Sequence, residues 1–405
     1  MSARTKWLLL ASLYFSQGLP FGFFTQALPV LLREEGASLS RIGLSGLLFL
    51  PWALKWLWAP WVDTSGSRKQ WIVPLQIATI FTALGLALVD GSPADQLLWL
   101  KIAIVLCALF AATQDVPTDA LAVHLLQPQE RGLGNAVQVG GYRLGMVLGG
   151  GLLIIVLDQL GWAAAFISMA AFLTLTLLPV LRFREVPAAP APPRPSPLAG
   201  LWQRLQRPGM ATLLLWLIAY KFGDAMASAM AKPYLVDQGW SKTEIGLWAG
   251  VIGSIGGLLG ALLGGLLSDR AGRRRTLLWC GIAQTAAVAL YAVHACGVGD
   301  AALLKAAVAL EHLLGGMATV ALFTLMMDAS APAHAGTDYS LQASTVVIAT
   351  GLASAIGGVL GDALGYAMLF GASVLLSGVG CALLLWGLST RRVPRRLHAS
   401  WQPQG

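Results

Sequence analysis

Apolar stretches of about 20 residues, separated by short polar breaks, recur along the whole chain. A helix rising 1.5 Å per residue needs roughly 20 residues to cross the hydrocarbon of a bilayer. The pattern predicts twelve membrane-spanning helices, near 7–32, 42–62, 71–89, 97–126, 135–157, 162–181, 210–236, 244–267, 275–295, 300–327, 339–363 and 366–388. The first follows Arg4 and Lys6 as the core of a signal peptide would, but it runs on to about Leu32 without a small-x-small cleavage site. It reads as a retained span. The longest polar interruption, 182–209, contains the run PAAPAPPRPSP, which can neither continue a helix nor build a core. The expected organisation is a six-helix bundle over 1–181, a linker over 182–209, a second six-helix bundle over 210–390 and a tail over 391–405.

Composition supports lipid as the solvent. Apolar residues make up 56% of the chain and charged residues 11%, against about 25% charged in soluble domains. The 46 Gly and 20 Pro lie among Leu/Ala/Val runs, which excludes a disordered chain. The net charge of +8 does not indicate nucleic acid, because no basic groove with interleaved aromatics is present. Placement matters more. With twelve spans and a cytoplasmic N-terminus, 18 Lys and Arg fall on the cytoplasmic side and 3 (Arg33, Arg41 and Lys242) on the other. That bias places both termini and the linker in the cytoplasm. Cys107, Cys280, Cys296 and Cys381 have neither disulfide nor metal-ligand spacing. No cofactor or metal is implied. No HExxH, GxSxG or GxxxxGK[ST] motif occurs, so an intramembrane enzyme and an ATP-driven pump are both disfavoured.

The halves repeat each other. Gly36, Ser38, Ile42 and Gly43 match Gly239, Ser241, Ile245 and Gly246 at an offset of 203. Gln138 matches Gln342, and Asp158, Leu160, Gly161 and Phe166 match Asp362, Leu364, Gly365 and Phe370, at 204. After the second span of each half comes an acidic-Gly-basic loop: Asp63, Gly66, Arg68 and Lys69 in the first, Asp269, Arg270, Gly272, Arg273, Arg274 and Arg275 in the second. Gly permits a tight turn, and the cations are expected to meet helix C-termini and lipid phosphates. Such loops can latch the cytoplasmic side shut. The alternative is that they are ordinary positive-inside residues.

Polar residues inside spans cost roughly 2.5–3.5 kcal/mol each when charged and are kept where they do something. The fourth span carries Gln114, Asp115 and Asp119; the two aspartates share one face, with Pro117 between them. Two such close carboxylates are the condition for a proton site. The fifth carries Tyr142 and Arg143, and Asp115 is the first partner considered for that guanidinium. A structural Arg–Asp pair is the competing reading. The seventh carries Lys221 and Asp224 on one face, either a pathway pair or an internal ion pair, with Lys232 placed to snorkel. The tenth carries Glu311 and His312, of which Glu311 is the better cavity residue. Lys55 sits among tryptophans, which either line a solute path or form an interfacial belt. The run Gln17–Gly22, QGLPFG, is expected to break the first span and point to the solute site.

Six spans, a linker and six spans is the layout of the major facilitator superfamily, and the segments GLPFG, KWLWAPWVD at 55–63, ATQDVPTDA at 112–120, ERGLG at 130–134, GYRLGM at 141–146, YKFGDA at 220–225 and EHLLGGM at 311–317 resemble its AmpG-type permeases. The loop at 265–275 resembles the superfamily's GxxxDRxGRR loop; the first half departs from it with Ala59 and Thr64. The resemblance implies an all-α fold with two pseudo-symmetric halves. It also implies a monomeric, proton-coupled importer of a small solute in a bacterial inner membrane. The AmpG-type muropeptide permeases import anhydromuropeptides and are commonly longer, with extra spans. The segment AGTDYSLQAS at 335–344 looks more like the compact RhtX/FptX-type siderophore permeases. The expectation leans to a siderophore, with an anhydromuropeptide as the alternative.

Overall fold

The computed structural model describes residues 3–24, 28, 50–88, 93–185, 197–390, 394 and 397. Among the described residues every regular element is helical. In chain order they are α1 Ala3–Gly22, α2 Leu50–Leu54, a 3-10 turn Lys55–Leu57, α3 Ala59–Thr64, α4 Arg68–Ala87, α5 Pro93–Leu125 and a 3-10 turn Pro128–Glu130. Then come α6 Arg131–Val147, a π-turn Leu148–Leu152, α7 Leu153–Arg182, α8 Pro197–Leu205, α9 Met210–Asp237, α10 Lys242–Ile245, a π-turn Gly246–Ile252 and α11 Gly253–Arg270. The last are α12 Arg273–Ala295, α13 Ala301–Ala329, a 3-10 turn Pro332–His334 and α14 Ala335–Ser389.

Among the described residues eight helical stretches are long and apolar enough to cross a membrane. Two of them, Pro128–Arg182 and Pro332–Ser389, have 55 and 58 residues, more than twice the length of one span. Each is interrupted by a glycine at positive φ, Gly161 at 85° and Gly365 at 77°. These glycines are the repeat pair seen in the sequence, and each turns the chain between two spans. α1 and the described part of 42–62, that is α2, the turn at Lys55 and α3, add helical segments where the sequence expects the first two spans. The loop glycines repeat too, with Gly66 at φ 77° and Gly272 at φ 84°. A side chain is strained at such angles, so the two halves need glycine at equivalent places. Gly36, Ser38, Ile42 and Gly43 of the repeat, Arg33, Arg41, Arg194 and the tail arginines 391, 392, 395 and 396 all lie outside the described residues.

The chain forms two compact units. One comprises Met1–Leu125, Val137–Leu201 and Pro332–Ser340; the other Leu126–Ala136, Trp202–Ala331 and Leu341–Gly405. Each sequence half thus gives a short piece, at the start of α6 or of α14, to the other half's unit. The first unit's core includes Leu9, Leu13, Phe23, Ile72, Ala108, Phe166 and Leu173. The second's includes Tyr234, Val288, Tyr291, Leu304, Val308 and Phe370.

Small residues let α1 lie directly on α6 and the turn after it. A Cβ on Gly18 would stand 2.0 Å from the Tyr142 carbonyl oxygen, and one on Gly149 1.9 Å from that of Leu19. Backbone atoms cannot yield as a side-chain tip can. Gly149→Ala is therefore expected to destabilise the protein by about 1–3 kcal/mol, read as a lower unfolding temperature in detergent. An unchanged temperature would contradict this packing.

The expected break in the first span is not there: α1 runs unbroken through Pro20 to Gly22. Just beyond Gly22 the winding loosens to a π-turn at Phe23–Phe24, three residues past Pro20, and Gly18 and Gly22 serve the contact with α6. The break lies in the second span, at Lys55–Leu57. Pro60, in the first turn of α3, cannot donate to Trp56, and its ring collides with that carbonyl. The backbone tightens to a 3-10 turn ahead of it, with Trp58 N donating to Lys55 O at 3.2 Å.

Candidate functional site

The turn at Lys55 places an ammonium inside the first unit. α5 continues through Pro117 and holds Asp115 and Asp119 one turn apart on one face. Lys55 Nζ donates to Asp115 Oδ2 and lies 3.5 Å from Asp119 Oδ2. Lys55 and Asp119 are each 2% exposed, whereas the Asp115 side chain retains 15%. Asp119 Oδ1 accepts from Tyr14 Oη at 3.1 Å and from Gln138 Nε2 at 3.3 Å. Tyr339 Oη donates to Gln138 Oε1 at 3.4 Å. One ammonium faces two carboxylates, so uptake of a single proton neutralises the group. Asp119 has both oxygens engaged, whereas Asp115 keeps more of its side chain exposed.

Beside this cluster runs a polar ladder. Gln114 Nε2 reaches Ser16 Oγ at 3.4 Å and Gln76 Oε1 at 3.3 Å. Gln76 Nε2 donates onward to Leu173 O at 2.9 Å and Thr176 Oγ1 at 3.0 Å. Interhelical bonds of this kind are worth about 0.6 kcal/mol each in a membrane bundle, and here they tie α1, α4, α5 and α7 together. The Phe21 ring meets Trp52 edge-on with centroids 5.2 Å apart and Tyr142 at 5.3 Å.

The second unit holds its own charged group. Lys221 Nζ donates to Asp224 Oδ2 at 2.5 Å within α9. Ser228, one turn on, donates to Glu311 Oε1 of α13 at 2.5 Å, and His312 Nδ1 lies 2.8 Å from Glu311 Oε2. Asp224 and Glu311 are buried, at 2% and 8% exposure.

The loop aspartates are helix caps. Asp63 accepts from Gly336 N at 3.1 Å and from Thr337 N and Oγ1 at 2.6 Å each, at the start of α14 within the first unit. Asp269 accepts from Gly132 N and Leu133 N, both at 2.8 Å, at the start of α6 within the second. Orphan N–H groups and the positive end of the dipole make a helix N-terminus a carboxylate site. Arg273 binds Asp269 at 3.0 Å, Asp328 at 2.9 Å and the carbonyls of Ser268 and Pro128, and Arg131 binds Asp328 at 2.7 Å. Arg68 binds Glu185 at 2.9 Å and His124 Nε2 at 2.7 Å.

One family model covers this chain twice in succession: Major Facilitator Superfamily matches residues 10–223 and again 218–404. The chain belongs to the Major Facilitator Superfamily. It is a multi-pass membrane protein and a secondary transporter. Within the superfamily it is AmpG-like. It is 30% identical over 387 residues to the anhydromuropeptide permease of Escherichia coli K12, covering 93% of this chain and 78% of that one. It is 23% identical over 390 residues to the putative transporter AmpG 4 of Rickettsia felis, covering 91% of this chain and 93% of the relative. Among solved structures, the human organic anion transporter MFSD10 superposes with a TM-score of 0.73 at 16% identity, covering 95% of this chain and 100% of that one. The proton:xylose symporter XylE gives 0.72 at 13%, covering 98% of each. At those identities the structures establish the fold alone.

Several residues stand differently from the sequence reading. In this superfamily member Asp115 carries Lys55, a partner the sequence reading did not consider; Arg143, the partner first considered, is half-buried on α6. Lys55 is an interior cation, because the 3-10 turn aims it at α5. Lys221 and Asp224 pair within one helix, the blander of the two readings. Lys232 is exposed, as snorkelling requires. In the second loop the helix-capping partner is Asp269; Arg270 is exposed, and of that loop's arginines Arg273 alone is fixed by described acids. Sequence reasoning missed Tyr14, Asp328, Ser228, Glu185 and Tyr339. Asp328 at the end of the tenth span carried a usable signal, an acid beside an apolar run; the hydroxyls carried none.

Proposed function

We propose that the chain imports an anhydromuropeptide-type solute across a bacterial inner membrane, driven by the proton gradient. The observation that carries the solute class is the 30% identity to an anhydromuropeptide permease over nearly the whole chain. This replaces the siderophore reading, which rested on 335–344. That segment has another use in the fold, since Gly336 and Thr337 receive Asp63 and Tyr339 reaches Gln138. In this reading Lys55, Asp115 and Asp119 form the coupling group, and protonation of Asp115 frees Lys55 from one of its two partners. Gln17, Gln114, Tyr142, Arg143, Lys221, Asp224 and Glu311 belong to the solute and proton pathway. Asp63, Gly66, Arg68, Asp269, Arg270, Gly272 and Arg273 form the cytoplasmic latch. The protein works as a monomer with both termini in the cytoplasm.

The test is uptake of labelled anhydromuropeptide and of labelled ferric siderophore by cells that lack their own permeases and express this chain. Muropeptide uptake abolished by a protonophore is the expected result; siderophore uptake alone would reverse the assignment. For orientation, a cysteine at Pro193 should be protected from impermeant reagents in intact cells. Its labelling from outside would invert the topology.

A further inference from the structure

We propose that Gln17 binds an amide group of the transported solute, the N-acetyl group of its sugar; this rests on the anhydromuropeptide reading. Gln17 is 1% exposed, and neither atom of its carboxamide has a hydrogen-bond partner among the described residues. A buried donor and acceptor left unpaired on one side chain is costly, and native proteins tolerate it where something else supplies the partner. Tyr14 and Ser16, the polar side chains just before it on α1, are committed elsewhere. Ser16 serves the Leu13 carbonyl and Gln114, and Tyr14 serves Asp119.

The position of Gln17 on α1 points to what it meets. Residues three and four apart share a helix face. Gln17 lies between Tyr14, which contacts Asp119, and Phe21, which contacts Trp52 and Tyr142. Gly18, beside it, is seated on the Tyr142 backbone. Gln17 therefore occupies the level between the carboxylate cluster and three aromatic rings. Asp115 and Asp119 against Lys55 and Arg143 leave that neighbourhood with no surplus positive charge to hold an anion. A neutral carboxamide offers one acceptor and two donors. Its complement is a neutral group that both donates and accepts, as a secondary amide does. The aromatic rings beyond it offer apolar faces to the carbon skeleton of a sugar.

The experiment compares wild type, Gln17→Leu and Gln17→Asn in two measurements. The first is competition for uptake of labelled anhydromuropeptide by the unlabelled N-acetylated disaccharide and by its de-N-acetylated form. Wild type is expected to prefer the acetylated sugar by about tenfold. Gln17→Leu is expected to lose that preference by weakening for the acetylated sugar alone, and Gln17→Asn to keep part of it. The second is unfolding temperature in detergent without solute. Because Leu removes an unpaired buried polar group, Gln17→Leu is expected to unfold at the same or a higher temperature. A lower temperature would mean the amide is paired within the fold and would overturn the proposal, as would a Gln17→Leu protein that still discriminates. Wild type that takes up no muropeptide would overturn the solute reading and this proposal with it. Wild type that takes up muropeptide but treats both sugars alike would overturn this proposal alone.

Discussion

Lys55→Met is expected to produce little folded protein, and Lys55→Met/Asp115→Asn to restore folding without restoring accumulation. The single substitution leaves Asp115 and Asp119 one turn apart with their ammonium gone. Removing one member of a buried pair costs about 3–5 kcal/mol, a large part of the roughly 5–15 kcal/mol that holds a domain together. The double variant leaves one carboxylate, Asp119, still bonded to Tyr14 and Gln138. Its monodisperse yield by size exclusion should recover well beyond the single variant's. Asp115→Asn alone keeps the Lys55–Asp119 contact and should fold. It should exchange solute across the membrane yet fail to accumulate it, because the group can no longer gain and lose its proton. Full protonophore-sensitive accumulation by Asp115→Asn would move the proton to Asp224 or Glu311 in the second unit.

Asp269→Asn should slow maximal transport by about tenfold while the half-saturating solute concentration stays within about twofold. The carboxylate caps the first turn of α6 through two backbone N–H groups and holds Arg273. An amide retains one acceptor and no charge, and loss of a charged cap costs about 0.5–2 kcal/mol. These bonds sit at the first turn of α6 and involve none of the side chains assigned to the solute, so the change should affect conformational exchange, not affinity. Asp63→Asn removes the equivalent cap from α14 and should act in the same sense. Initial uptake rates across a range of solute concentrations separate the two parameters. Lost affinity with an unchanged maximal rate would place these residues in the solute site.

What the sequence determined by itself was the architecture. Apolar stretches long enough to span, the Pro-rich divide and the repeated glycines are local properties, and lipid imposes helices on any chain that carries them. Gly161 and Gly365 could be matched before any coordinates, because a turn between two spans needs the same backbone angle in each half. The acids of the fourth span and of the two loops could also be found, since a charge beside apolar neighbours stands out. Their partners could not. Lys55 meets Asp115 because Pro60 breaks the second span at one place, whereas α1 stays α-helical through Pro20 as far as Gly22. Proline marks both positions alike in the sequence, and only the fold tells them apart. Asp63 and Asp269 cap helices that begin hundreds of residues or more than a hundred residues away, and a hydrogen bond to a backbone N–H leaves no mark on the identity of its donor. Tertiary structure alone decided which carboxylate meets a cation, which caps a helix, and which buried amide, that of Gln17, is left for something outside the chain.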